Sequence, residues 1–236
     1  LQFDTSDQAK LASGLLEFGK IGSIHEPESL VIHTFTPLFD FELLDTQEIR
    51  LKIQFDYGNH VVDTRFKLEE LPFASDFQLE QKVFQQALSA GFEADFTSTR
   101  PPLQPQEIYS FFTSILPRFR RLGKVLAESL TALYQVERPA VSVQTNGGLL
   151  DIGFDFTSID QTEVDDALEA LFSANDYFIS RSGKVLVFDE ETKRVSKTLQ
   201  DLRAKKGKDG IFQTQRIAAY QLSELFKDQE KRSEEH

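Results

Sequence analysis

Two stretches of this 236-residue chain alternate apolar and polar residues with a period of two. In the first, Phe39, Phe41 and Leu43 alternate with Asp40 and Glu42. Ile49, Leu51, Ile53, Phe55 and Tyr57 then alternate with Arg50, Lys52, Gln54 and Asp56. The second reads "VSVQTNGGLLDIGFDF" over 141–156, with Leu150, Ile152, Phe154 and Phe156 on one side and Asp151, Gly153 and Asp155 on the other. A helix turns each successive residue by about 100° and cannot sort such a pattern into two faces; a strand can. Both stretches therefore predict antiparallel strands with one buried and one wet face. "LDTQE" and "YGNH" supply turns in the first, and Asn146-Gly147 is a strong hairpin signal in the second.

Between and around the strands the period changes to that of a helix. Leu11, Leu15 and Phe18 predict a helix over 6–18, stopped at Gly19. Leu79, Val83, Phe84, Ala87 and Leu88 form one stripe over 76–90, with Ser75 and Gln78 at capping-box spacing and Gly91 as the stop. A long apolar pattern predicts helix over 106–134, kinked or restarted at Pro117. Asp160 is placed to cap a helix carrying Val164, Ala167, Leu168, Leu171 and Phe172. "DYFISRSGKVLVFD" (176–189) reads as a small hairpin about Ser182-Gly183, and further helices are expected near 192–204 and 215–228. The prolines of "TSTRPPLQP" (97–105) mark the best linker. The expected fold class is α+β: antiparallel hairpins packed with several amphipathic helices in two lobes, 1–103 and 104–230, and a frayed tail at 231–236.

The chemistry-bearing residues are sparse. With no Cys there is no disulfide and no thiolate metal site. His25, His33 and His60 stand singly, without the spacing of a metal site. "SGKV" (182–185) lacks the glycine spacing and hydroxyl of a phosphate-binding loop, and "FDEE" (188–191) reads as the acidic start of a helix. Asp151 and Asp155 share a strand face, which fits a solvated surface better than an acid–base pair. No catalytic, metal or cofactor residue is expected, and no run approaches the roughly 18 apolar residues of a membrane span.

Charge is the remaining signal. The net charge of −12 opposes a general nucleic-acid surface, yet its distribution is uneven. Arg118, Arg120, Arg121 and Lys124 cluster without an acid. Lys193, Arg194, Lys197, Arg203, Lys205, Lys206 and Lys208 accompany a single acid, Asp201. These residues are candidates for contact with a phosphate backbone or an acidic partner; the plainer alternative is a solvated helix face and a Lys-rich loop. Arg118, Arg121 and Lys124 are expected near one helix face, and Arg120 and Lys124 as an i, i+4 pair.

The order of several segments carries a resemblance: "IRLKIQFDYGNHVV" (49–62), a helix ending "SAGF" (89–92), "SVQTNGGLLDIGFDFTSIDQTEVDDALEAL" (142–171), "YFISRSGKVLVFDEE" (177–191) and "IAAYQLSELF" (217–226). Together they resemble the bacterial SNF helicase-associated region, most closely from Val141 to Phe226. The resemblance implies a non-catalytic accessory segment preceding the ATPase core of a bacterial SWI/SNF-type DNA-dependent ATPase. It implies ATP and Mg as cofactors of the parent protein and none for this segment. It further implies the helicase core of the same chain, and DNA, as partners, and a cytoplasmic, nucleoid-associated location. Because the chain lacks an initiator Met, it is expected to be a piece of a longer protein. An independent protein-interaction module unconnected to a helicase is the alternative.

Overall fold

The alternation over 39–57 becomes a hairpin in the computed structural model, which describes residues 31–207 and 210–215. Strands β2 (Thr36–Leu43) and β3 (Ile49–Asp56) pair antiparallel, Leu43 opposite Ile49, and bury one face. Short β1 (Ile32–His33) and β5 (Ala74–Ser75) pair in parallel beside them. Neither central strand is an edge. β4 (Val61–Val62) and β6 (Thr97–Arg100) line the far side of β3, and β7 (Lys124–Leu126) runs parallel along β2. Helices α1 (Arg65–Glu69), α2 (Phe77–Ser89), α3 (Pro105–Ser110) and α4 (Leu116–Leu122) complete this unit.

Its core is largely phenylalanine. The Phe41 ring lies 5.1–6.0 Å from those of Phe92, Phe111 and Phe119, and Phe55 is 4.9 Å from Phe96. Edge-to-face contacts of this kind add to the burial of large apolar surfaces. α2 forms as its stripe requires, except that Leu88 stays 54% exposed. Asp76 rather than Ser75 caps it, the carboxylate accepting from Leu79 N–H at 3.0 Å. Ser75 is a strand residue, its hydroxyl 2.5 Å from that of Tyr57. At the other end Gly91 takes φ 83° while Phe92 and Gly91 N–H groups bond Ala87 and Leu88 carbonyls, a Schellman stop.

The long helix expected over 106–134 is broken. Between α3 and α4 a wide π turn spans Phe111–Ile115, with Leu116 N–H donating to Phe111 C=O. Pro117, which has no N–H to give, sits in the first turn of α4. α4 ends at Gly123, where a Cβ would overlap the Pro37 carbonyl; only glycine lets the chain turn there and lie along β2 as β7.

The chain divides into two compact units after Thr131, not after residue 103. The residues read as a linker include β6, hydrogen-bonded to β3, and the helices that follow pack Phe111 and Phe119 on the first sheet. Pro101 and Pro102 interrupt secondary structure without separating lobes.

The second unit holds β8 (Tyr134–Glu137), β9 (Ala140–Asn146), β10 (Leu149–Asp155), α5 (Val164–Phe172), β11 (Phe178–Ile179), β12 (Val185–Phe188), α6 (Glu190–Asp201), β13 (Lys205–Lys206) and β14 (Phe212–Gln215). One sheet has the order β13-β14-β10-β9; the other, β11-β12-β8, pairs β12 with β8 in parallel. Leu150, Ile152, Phe154 and Phe156 are buried with Leu168 and Leu171 of α5 and Val195 and Leu199 of α6, as the alternation predicts. The β9–β10 turn is Gly147-Gly148 rather than Asn146-Gly147. Asn146 pairs with Leu149, and of the two glycines only Gly147 has positive φ (62°), which fits a type II′ turn. Asp160 caps a short 3-10 turn over Gln161–Glu163 that leads into α5. The fold is therefore α+β, as expected. The helix at 6–18, most of that at 215–228 and the tail lie outside the described residues; Gln215 ends β14.

Candidate nucleic-acid interface

The two basic segments fall in different units, so each is considered by itself. In the first unit Arg118, Arg120 and Arg121 are exposed on α4. Lys124 is exposed too, but it follows the break at Gly123 and begins β7, so it shares no helix face with the arginines and makes no i, i+4 pair. Among the described residues none of the four is ion-paired. Arg120 and Arg121 occupy the last turn of α4, where cations also offset the helix dipole.

In the second unit the basic residues are carried by α6 and the β13–β14 hairpin. Asp189 starts α6 by accepting from Thr192 N–H at 2.9 Å, with Glu190 and Glu191 in the first turn. "FDEE" is thus an acidic helix start, as its sequence suggests. Lys193 is bound to Glu190 at 3.1 Å, and Lys206 to Asp165 at 3.0 Å. Arg194, Lys197, Arg203 and Lys205 are exposed. Lys208 lies outside the described residues.

Two clefts flank α6. One, of about 390 Å³, runs along Lys193, Ser196, Lys197 and Gln200 and is closed by Asn175 and Asp176 after α5. The other, of about 530 Å³, lies between the end of α6 and β14. Arg203 and Lys205 line it on one side, Gln213, Thr214 and Gln215 on the other. Arg203 takes φ 53° at the helix stop, its N–H bonding Gln200 C=O while Ala204 N–H bonds Leu199 C=O. This geometry turns the chain off α6 towards β13. Among the described residues the second cleft is lined by two cations and no carboxylate, whereas the first sets Asp176 against its lysines. Sequence reasoning does not place Gln213, Thr214 and Gln215 at the site, because the basic segment ends at Lys208 and the next expected element is a helix near 215–228. The alternation of buried Phe212 and Thr214 with Gln213 and Gln215 is the signal that could have revealed a strand.

The other chemistry-bearing residues have ordinary surroundings. Asp151 accepts from Asn146 Nδ2 at 3.0 Å and Gln213 Nε2 at 2.9 Å; Asp155 is exposed at the end of β10. Ser182, Gly183 and Lys184 form the β11–β12 turn, and Lys184 Nζ donates to Gln135 Oε1. A turn between strands with its lysine so engaged does not fit a nucleotide phosphate cradle, which needs a loop running into a helix N-terminus. The His33 and His60 rings lie 4.2 and 5.7 Å from that of Phe73. Among the described residues no group of His, Asp and Glu side chains is arranged to hold a metal ion, and no helix is long and apolar enough to cross a membrane.

Over residues 1–236, its whole length, the chain matches the family described as bacterial SNF2 helicase associated. The chain belongs to that family. The resemblance read from the ordered segments is therefore correct, and it extends across both units of this SNF2 helicase-associated chain. No curated protein and no solved structure matched it.

Proposed function

We propose that this chain is a non-catalytic accessory region of a bacterial SNF2-type DNA-dependent ATPase, lying N-terminal to the ATPase core. The match of all 236 residues to the SNF2 helicase-associated family carries this reading. On it, ATP and Mg belong to the motor of the parent protein, which works in the cytoplasm on nucleoid DNA, and this region modulates that motor by touching it or its DNA. Ser182–Lys184 is a turn between strands rather than a phosphate cradle, so on this reading ATP is held elsewhere in the parent protein. Two measurements test it. The purified chain, given ATP, Mg and DNA, should show no hydrolysis, and the reading frame downstream should encode a phosphate-binding loop. Turnover that follows the protein through purification overturns the first part. A downstream stop or unrelated domain overturns the second, and favours an independent interaction module.

A second reading is carried by the cleft of Arg203 and Lys205: this face holds phosphates of DNA. Binding through a few cations weakens steeply as salt rises, because condensed counterions are no longer released at a profit in entropy. Charge reversal at Lys205 together with Arg203 should lower low-salt affinity for duplex DNA about tenfold and flatten its salt dependence. Charge reversal at Arg118 and Arg121 provides the same comparison for the first unit. Unchanged binding in the Arg203 and Lys205 variant, or none at low salt, overturns this reading.

A further inference from the structure

The two edges of the β13-β14-β10-β9 sheet are built in opposite ways. β13 is two residues long, and both are lysines. Short, lysine-bearing strands are the usual protection of a sheet edge against unwanted pairing. β9 is seven residues long, and no charged residue and no proline occurs from Ala140 to Leu150. It is exposed along its length, Val141 alone being half-buried, and among the described residues nothing pairs with its outer side.

The backbone of that edge is ordered for pairing. Asn146 and Leu149 close a two-residue turn and form a hydrogen-bonded pair, so Gln144, Ser142 and Ala140 also turn their peptide groups inward to β10. The alternate residues Thr145, Val143 and Val141 then direct N–H and C=O outward. All three are β-branched, the type that best fits a pleated surface. Their side chains share a face with Leu150, Ile152 and Phe154, their partners across the pair. That face is covered at Ile152, which is fully buried, but opposite it Val143 is 41% exposed.

We infer that β9 pairs antiparallel with β9 of a second copy of this chain, about a two-fold axis at Val143. Val143 then faces Val143, Val141 faces Thr145 and Ser142 faces Gln144, and the two four-stranded sheets become one. Charge selects this occupant. A copy brings the same net −12, and like charges directly opposite one another on paired strands repel, so a self-pairing edge has to be neutral. A basic partner strand would be drawn by acids on the edge, and β9 offers none. One strand pair buries less than the roughly 1,600 Å² of a standard interface, so the dimer is weak and concentration-dependent.

The test uses the whole chain. Sedimentation equilibrium should show the average mass rising with concentration towards twice the monomer's. Salt should strengthen association by screening the repulsion between two acidic copies, opposite in sign to its effect on DNA binding. The chain has no cysteine, so Val143→Cys introduces one thiol per copy. Across the axis the two Cα atoms would stand about 5.5 Å apart, within disulfide range. Mild oxidation should give a covalent dimer at least tenfold faster than Val136→Cys, another exposed valine, on β8. Val143→Lys should abolish association and leave the thermal melt of dilute protein unchanged. A monomer at every concentration and salt, or equal crosslinking at the two positions, overturns the inference and leaves β9 open to some other protein's strand. Neither result bears on the helicase reading, which is tested by ATP turnover and the reading frame.

Discussion

The β2–β3 and β9–β10 hairpins share one sequence pattern and end in different surroundings. In each, residues two apart pack inward: Phe39, Phe41, Leu51 and Phe55 in the first unit, Leu150, Ile152 and Phe154 in the second. β2 has β7 along its outer side and Phe119 against its apolar face, so it is interior in both directions. β9 has neither. The polar faces differ as well. Glu42 of β2 accepts from Lys52 and Arg50 of β3, and Lys52 and then Arg50 hold its carboxyl below the usual range. Asp151 of β10 is met by two neutral amides. Alternation therefore decides which way side chains point, while distant residues decide whether a strand is enclosed.

The residue that encloses β2 is Gly123, and its replacement should have the largest effect. Gly123→Ala places a methyl on the Pro37 carbonyl. β7 must then leave β2, with an expected loss on the order of 4 kcal/mol in urea denaturation. Destabilisation below about 1 kcal/mol would mean that β7 is not what closes this hairpin. In the second unit the burial of β10 is the counterpart. Ile152→Ala should cost about 2–5 kcal/mol, since its side chain is fully enclosed by the second core.

These two positions also show what could be read without coordinates. Ile152 was legible, because its neighbours at two-residue spacing share its fate. Gly123 was not: its role depends on a carbonyl 86 positions away in the chain, and the surrounding "RFRRLGKVLAESL" keeps a helical period through the break. The linker failed for a related reason, since Thr97–Arg100 is held by β3, a partner remote in sequence. At the candidate interface the cations were legible from composition. The cleft was not, because three of its seven described lining residues come from β14 and because α6 stops at Arg203, a residue that carries no sequence signal for φ 53°. Gly91, at φ 83°, does carry one.

Acidity separates the units through two carboxyls with opposite shifts. In the first, burial pushes the Glu80 carboxyl above its ordinary 4.5, opposed by the Ser75 hydrogen bond and the Arg65 charge. The folded state then keeps a proton that the unfolded state has released, so this contribution falls as pH rises from about 4.5 through the raised value. In the second, the Thr162 N–H and hydroxyl hold Asp160 below its ordinary 3.8. Its contribution is present above that value and is lost as pH falls through the lowered one. Glu80→Gln should therefore raise neutral-pH stability relative to acid, and Asp160→Asn should lower neutral-pH stability towards its acid value. Glu42 in the first unit acts in the same sense as Asp160, so each slope is read as a difference between variant and parent. Parallel curves for Glu80→Gln and the parent would show that the carboxyl is not desolvated.

Helix stops extend the comparison at smaller scale. α2 ends on Gly91, but α5 ends on Ala174 with φ 55°, where Ala174 N–H bonds Leu171 C=O and Asn175 N–H bonds Ala170 C=O. A left-handed alanine is strained by about 1 kcal/mol relative to glycine, partly offset by glycine's greater freedom when unfolded. Ala174→Gly should thus stabilise the second unit by about 0.5–1 kcal/mol, measured as a higher melting temperature. A loss would show that the Ala174 methyl makes contacts worth more than the strain.

The smallest effect is expected at Val143, and it is the sharpest probe of the difference between the hairpins. Val143 and Ile152 are directly opposite on paired strands and point to the same face. By sequence pattern they are equivalent core positions. Val143→Ala should nevertheless change the stability of dilute protein by no more than about 0.5 kcal/mol, the range of an ordinary surface substitution. The reason is coverage: at 41% exposure the valine leaves much of its surface in water when folded, so truncation forfeits little burial and opens no enclosed cavity. If Val143→Ala instead approaches the cost of Ile152→Ala in dilute solution, β9 is covered within its own chain. If its cost appears only as protein concentration rises, the cover is a second copy.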